Sequence, residues 1–262
     1  MRLRYLLYTV IICSIVALFI PVVIWSFTYQ WFYPDLLPEQ WGYRAWEYIF
    51  GPAGTQITSG LAQSMIVAAI TAILSVCLGT PAGRILGLYD FRLKNILSLV
   101  IILPVIVPPL CVAMGLHLWF IRLGLTESIV GVVLIHLTFC LPYAVFVMWG
   151  VFANYNPEYE DQARSLGATP FQVFVRISTP MVFNGMVVAG LFAFLLSWSQ
   201  YLSTLIIGGG QITTLPILLF ALINSGDRPV AAAVSLVFIT PALLALVFSS
   251  RYLGKQHLTG IQ

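Results

Sequence analysis

The sequence predicts an all-α polytopic membrane protein with six transmembrane helices, and three observations carry that prediction. Of 262 residues, 60% are hydrophobic and 8% are charged, whereas a soluble domain carries about 25% charged residues. Six apolar runs, at 6–28, 59–85, 96–120, 128–152, 181–206 and 229–250, are each long enough to cross the hydrocarbon, which takes about 20 helical residues. Segments such as IVAAITAILSVCLG lack the strict apolar–polar alternation of a transmembrane β-barrel strand.

The first run follows Arg2 and Arg4. Its apolar stretch exceeds a signal-peptide core and no A-x-A site follows it, so it reads as an uncleaved span. With the N-terminus inside, the inner segments hold Arg2, Arg4, Arg84, Arg92, Lys94, Arg164, Arg176, Arg251 and Lys255. The outer segments hold Arg44, Arg122 and Arg228. Nine against three obeys the positive-inside rule, which places both termini and the 153–180 loop on the cytoplasmic side. The net charge of +3 thus reflects topology, and the scattered basic residues form no nucleic-acid patch.

Residues 29–57 are broken by Pro34, Pro38 and Pro52. They carry Trp31, Trp41, Trp46, Tyr29, Tyr33, Tyr43 and Tyr48, the composition of an aromatic belt at the outer surface or of a simple connecting loop. The second span ends near Gly79-Thr80-Pro81 and leads into a basic turn with Arg84, Asp90, Arg92 and Lys94. The third carries Pro104, Pro108 and Pro109, which predict a kinked helix that lines the path or packs as a bent helix. In the fourth, Pro142 follows His136 and Thr138.

His117 and His136 are ionisable groups within spans. All nine Asp and Glu fall outside the spans, so a hydrogen bond to a neighbouring helix accounts for these histidines better than a proton relay. Cys13, Cys77, Cys111 and Cys140 have no C-x-x-C spacing and read as packing residues; no metal site is expected. Gly208, Gly209 and Gly210 read as a turn. No G-x-x-x-x-G-K-[ST] occurs, so if ATP powers this protein another subunit binds it.

The 153–180 loop is the most informative segment. Asn156-Pro157-Glu158 is a helix start, by cap, first-turn proline and dipole, and predicts a short helix over 157–166. Gly167 sits where a left-handed terminator is needed. Thr169-Pro170 starts a second helix through about Thr179, and Pro180 opens the fifth span. Such a unit is a stiff lever or an amphipathic hairpin with Phe171, Phe174 and Ile177 in the inner membrane surface.

Within EDQARSLGATPFQVFVRISTP, Asp161, Gln162 and Ala163 precede Gly167, and Ile177 and Pro180 follow it by ten and thirteen residues. This spacing resembles the E-A-A-x3-G-x9-I-x-L-P loop of permease subunits in binding-protein-dependent ABC importers. Asp161 stands for Glu, Gln162 for the first Ala and Thr179 for Leu. LIHLTFCLPYAVFVMWG and FAFLLSWSQYLSTLIIGGG resemble the flanking permease segments.

The resemblance spans roughly 59–250 and implies a type I importer permease fold, nearest the spermidine/putrescine-type branch. It implies that Asp161, Gln162, Ala163, Gly167, Ile177 and Pro180 form a coupling helix docked on an ATP-binding cassette subunit. ATP and magnesium would be held by those partners, with no cofactor in this chain. It also implies a second permease, a periplasmic or extracellular substrate-binding protein, the lipid bilayer as surroundings, and the bacterial cytoplasmic (inner) membrane as location. The implied division is a first span with an outer interfacial segment (1–58), the transport core (59–250) and a cytoplasmic tail (251–262).

Ser197, Trp198, Gln200, Tyr201 and Thr204, with Ser199 and Ser203, form the densest polar cluster within a span. Hydrogen-bonding groups and aromatic faces suit a polyamine or another ammonium, and small hydroxyls equally serve helix packing. Iron, thiamine, sulfate and phosphonate are the other solutes the family carries. Asp227-Arg228 reads as a solvated outer pair or a binding-protein contact. An ion-coupled secondary transporter is the alternative class; it needs buried carboxylates or unwound ion-binding helices. A membrane hydrolase needs a catalytic pair that is absent from the sequence, so the chain is expected not to be an enzyme.

Overall fold

The computed structural model describes residues 2–31, 35 and 37–259; Tyr33 and Pro34 of the expected aromatic belt lie outside them. Packing divides the chain into two units, Met1–Gln63 with Thr213–Leu243, and Ser64–Ile212 with Leu244–Gln262.

The first unit begins with α1 (Arg2–Ser26), whose described side chains from Leu7 to Ile20 are exposed, as a lipid-facing helix requires. The described residues after α1 carry regular structure rather than a simple loop. Thr28–Gln30 (β1) pairs antiparallel with Gln40–Trp41 (β2), followed by α2 (Arg44–Phe50) and a 3-10 turn at Pro52–Gly54. Phe27 packs on Tyr43 and Trp46, and Trp46 stacks on Phe50. Asp227 is no solvated partner of Arg228. It takes both guanidinium nitrogens of Arg44 at 2.5 and 3.0 Å, while Arg228 lies 5.6 Å from the Trp25 ring.

Helix α3 (Thr55–Leu88) starts in this unit and supplies the first long helix of the second. The predicted third span is corrected: it is two helices, α4 (Lys94–Ile106) and α5 (Pro109–Arg122), bent by 100°. Val107 and Pro108 each precede a proline, which drives a residue out of the α region. Their ψ angles of 138° and 129° show two successive extended residues, more than a kink can absorb. Pro104, Pro142 and Pro81, by contrast, stay inside their helices.

Helix α6 (Ile129–Ala153), capped by Ser128 accepting from the Gly131 amide, is the most buried of the candidate spans among the described residues. It packs along α9 (Thr179–Trp198). The predicted fifth span, 181–206, is also revised. Helix α9 ends at Trp198, residues 199–201 are non-helical, and α10 (Leu202–Gly208) resumes. Two glycines in the left-handed region, Gly209 and Gly210, close α10. The remaining helices are α11 (Leu215–Ser225) and α12 (Arg228–Thr259). Among the described residues five helices are long and apolar enough to cross a membrane, six if the bent pair is one span.

The contact of α3 with α6 has a cause that the span count hides. Gly79, Gly83 and Gly87, four residues apart, put one face of α3 backbone-to-backbone against Ala144, Met148 and Phe152. A Cβ there would fall 2.9, 2.5 and 2.6 Å from the Cβ atoms of those residues. Small residues at this spacing allow the close approach that membrane helices use in place of a hydrophobic driving force. We expect Gly83→Leu to cost at least about 1–3 kcal/mol, read as a lower melting temperature of the detergent-purified chain. Gly150→Ala should leave it unchanged, because a Cβ at that position meets nothing within 4 Å.

Candidate functional site

The loop after α6 is built by a chain of local caps. Asn156 accepts the Glu158 amide at 2.9 Å, and α7 follows (Glu158–Ser165) with Glu158, Glu160 and Asp161 at its positive end and Arg164 at the other. Gly167, at φ +89°, closes it with paired hydrogen bonds, Gly167 N–H to the Arg164 carbonyl at 2.9 Å and Ala168 N–H to the Ala163 carbonyl at 3.0 Å. This is the Schellman arrangement, which requires a left-handed residue at that position.

Thr169 and Gln172 then form a reciprocal capping box that starts α8 (Pro170–Val173). The expected second helix ending near Thr179 is corrected here. A π segment, Phe174–Ser178, joins α8 to α9 without a stop, so the chain is helical from Pro170 to Trp198. The Thr179 amide bonds the Phe174 carbonyl five residues back. This widened turn lies just ahead of Pro180, which has no amide hydrogen to continue the ladder.

One side chain ties this loop down, and sequence reasoning did not single it out. Among the described residues, Glu160 is the one carboxylate that is buried. Arg84 of α3 grips it bidentately at 2.8 and 2.7 Å. Tyr155 donates to it at 2.9 Å and Ser178 at 2.7 Å. Arg164 adds a longer contact at 3.4 Å. The Arg84 guanidinium also lies 5.7 Å from the Phe152 ring.

These donors, Arg84 foremost, hold the Glu160 carboxyl well below its ordinary 4.5, at about 2, against the opposing effect of burial. The signal in the sequence was weak. Arg84 and Glu160 are 76 residues apart, and the basic turn after the second span explained Arg84 without any partner.

The residues singled out in the loop are otherwise at its surface. Asp161, Gln162, Gly167 and Pro180 are exposed, and Ala163 and Ile177 half-buried. Asp161 lies 3.5 Å from Arg164. Beside them stand large apolar groups, Leu166 at 90% and Phe171 at 74% exposure, with Phe174 also exposed.

The polar cluster in the fifth span is elsewhere in this unit, and the structure splits it. His136 of α6 bonds Ser197 through Nδ1 and Thr204 through Nε2, both at 2.8 Å. The Thr204 hydroxyl donates to the Gln200 carbonyl at 3.2 Å, so it accepts from Nε2–H, and Ser197 donates to Nδ1. Ser197, Trp198, Ser203 and Thr204 are buried, and Trp198 stacks on Phe194. Gln200, which accepts from Ser203 at 2.7 Å, and Tyr201 are half-buried in the gap between α9 and α10. Among the described residues no three His, Cys, Asp or Glu side chains converge as metal ligands.

The Glu160 site makes stability depend on acid. A carboxyl whose pKa is lower in the folded chain stabilises the fold above its unfolded value, about 4.5, and loses that contribution as the pH falls through the window down to about 2. Glu160→Gln is therefore expected to melt below the parent chain at pH 7, with the gap closing as the pH drops below 4.5. A gap that stays constant with pH would exclude the ionised carboxylate as its source.

The binding-protein-dependent transport system inner membrane component family matches residues 79–255. The putrescine transport system permease protein PotI of Escherichia coli is 29% identical over 215 residues, covering 78% of this chain and 76% of that one. The molybdenum transport system permease protein ModB of Mycobacterium tuberculosis is 31% identical over 219 residues, covering 78% and 81%. Among solved structures, a bacterial ABC transporter involved in the import of the acidic polysaccharide alginate superposes with a TM-score of 0.69 over 95% of this chain and 96% of that one, at 15% identity. The capped corner, the apolar bundle and these likenesses agree: the chain belongs to the binding-protein-dependent transport system inner membrane component family, as a permease subunit of an ABC importer.

Proposed function

We propose that this chain forms part of the solute path of an importer in the bacterial inner membrane and couples it to ATP hydrolysed by partner subunits. The observation that carries the reading is the corner at Gly167: a helix closed by a Schellman motif, anchored at its root by Glu160 and presenting an exposed outer face. An ATP-binding cassette subunit, which holds ATP and magnesium, docks on Asp161, Gln162, Ala163 and Gly167, with Leu166 and Phe171 filling its cleft. Ile177 and Pro180 continue the corner toward the membrane.

A second permease completes the path, and a soluble binding protein delivers solute from outside. The nine-to-three distribution of basic residues supports a cytoplasmic loop and cytoplasmic termini. In this reading residues 1–58 are an added span with its outer segment, 59–250 the transport core and 251–262 the tail.

The solute is a polyamine or another small solute such as iron, thiamine, sulfate or a phosphonate. PotI and ModB are named as putrescine and molybdenum transport permeases, so chains similar to this one are named for different cargoes. Gln200 and Tyr201, in the gap between α9 and α10, are the path residues of this reading, with Trp198 behind them. Ser197 and Thr204 contribute by holding that gap open through His136. ATP binding draws the coupling helices together and switches the path from inward- to outward-facing.

Ala163→Glu places a second negative charge and added bulk on a surface that docking buries, where an unpaired charge costs several kcal/mol. Co-purification of the ATPase with this variant should fail while the chain still inserts in the membrane. Retained association would remove the lever reading in favour of a hairpin lying on the membrane surface. Ser165→Cys, in a background without the four native cysteines, should resist an impermeant thiol reagent in intact cells; labelling from outside would reverse the topology.

A further inference from the structure

We propose that Glu160 is a positioning residue for transport, a latch that makes α7 move as one body with α3, the end of α6 and the start of α9. The inference rests on the coupling reading above and goes past it, since Glu160 belongs to the inner face of α7 rather than to the face that docks. Its side chain is 4% exposed, against 72% for the neighbouring Asp161.

Four groups from different segments converge on the two carboxylate oxygens. Arg84 comes from α3, Tyr155 from the turn after α6, Ser178 from the end of the π segment, and Arg164 from α7 itself. Displacing α7 from α3 would pull a bidentate guanidinium off a buried carboxylate and leave both charges unpaired. Removing one partner of such a pair is far costlier than stretching an exposed contact. The loop's other polar side-chain contacts, at Asn154, Asn156, Asp161, in the Thr169–Gln172 box and from Ser178 to the Val173 carbonyl, join residues only two to five apart. They shape the loop and do not bind it to the bundle.

The π segment serves the same contact. It carries Ser178 at its last position, where the hydroxyl meets Glu160 rather than the solvent. Force applied to the outer face of α7 therefore reaches α3 through Arg84 and α9 through Ser178. In Glu160→Gln, one carboxylate oxygen becomes an amide N–H₂ facing the N–H groups of Arg84, so the bidentate grip is lost while the side-chain volume is kept.

The test uses the complex of this chain with its ATPase and second permease in native membranes, and ATP with vanadate as the probe, which leaves ADP and vanadate trapped on the ATPase after hydrolysis. Ser199 is exposed in the gap between α9 and α10, and Ser199→Cys in a background without the four native cysteines reports movement of the membrane path through its rate of maleimide labelling. In the chain that keeps Glu160, trapping should change that rate several-fold. In Glu160→Gln the ATPase should still co-purify and the ATP-dependent change should be lost, with Tyr155→Phe/Ser178→Ala reducing it in the same direction.

An undiminished response in Glu160→Gln overturns the latch. So does loss of ATPase association in a variant that inserts normally, because Glu160 would then belong to the docking face. If Glu160→Gln does not accumulate, an undiminished response in Tyr155→Phe/Ser178→Ala overturns it instead. No ATP-dependent change in the chain that keeps Glu160 removes the coupling reading itself and the latch with it.

Discussion

Backbone contact between α3 and α6 is the constraint from which the functional end of this unit is built. Glycines at 79, 83 and 87 bring the two helices together where any side chain would collide with Ala144, Met148 or Phe152. Because Arg84 follows Gly83 directly, that approach sets its guanidinium beside Phe152 and within reach of the loop that leaves α6. Glu160 is then captured from the first turn of α7. Looser packing would carry Arg84 away from the carboxylate and leave a buried charge without its partner, at a cost of several kcal/mol. The stripe and the ion pair are therefore one device, steric at one end and electrostatic at the other.

A second constraint comes from the hydrocarbon, which offers no partner to a freed amide or carbonyl. The chain interrupts its helices twice in the second unit and meets the demand differently each time. At Val107–Pro108 the break is made by successive prolines, which remove donors as well as helical geometry. Between α9 and α10 no proline is present. There the Ser199 amide turns back to the Leu195 carbonyl, the Gln200 amide to the Ser197 carbonyl and the Thr204 hydroxyl to the Gln200 carbonyl. His136 bridges Ser197 and Thr204 across the gap. His136 is a clamp between neutral hydroxyls, which agrees with the lack of any carboxylate in the predicted spans, whereas His117 Nδ1 is buried with no hydrogen-bond partner.

The loop's shape was legible because each of its steps is local. Asn156, Gly167 and Thr169-Pro170 act on residues within one turn of themselves, so their types and spacing suffice to place the corner. The continuation through Pro180 was not legible, since a proline after a cap reads equally as a stop or as a first-turn residue. The π segment that resolves it ends at Ser178, whose hydroxyl meets Glu160 from a distant part of the loop. For the same reason Asp161, the acidic residue at the motif position, drew attention while Glu160 beside it did not. Their difference in role is a difference in which face of α7 is covered, and a short polar helix does not declare its covered face.

By itself the sequence determined the features that composition and contacts near in the chain dictate. These are a helical membrane protein, the extent of most spans, the corner at Gly167, and membership of a permease family through the spacing around it. Tertiary structure decided the features that depend on residues far apart meeting. Arg84 joined Glu160 across 76 positions, Arg44 joined Asp227 across 183, and His136 joined Ser197 and Thr204 across 61 and 68. It also turned Ser197 and Thr204 of the polar cluster in the fifth span inward, where His136 of α6 meets both hydroxyls. A sequence names such groups, and the packing of helices selects which of them touch.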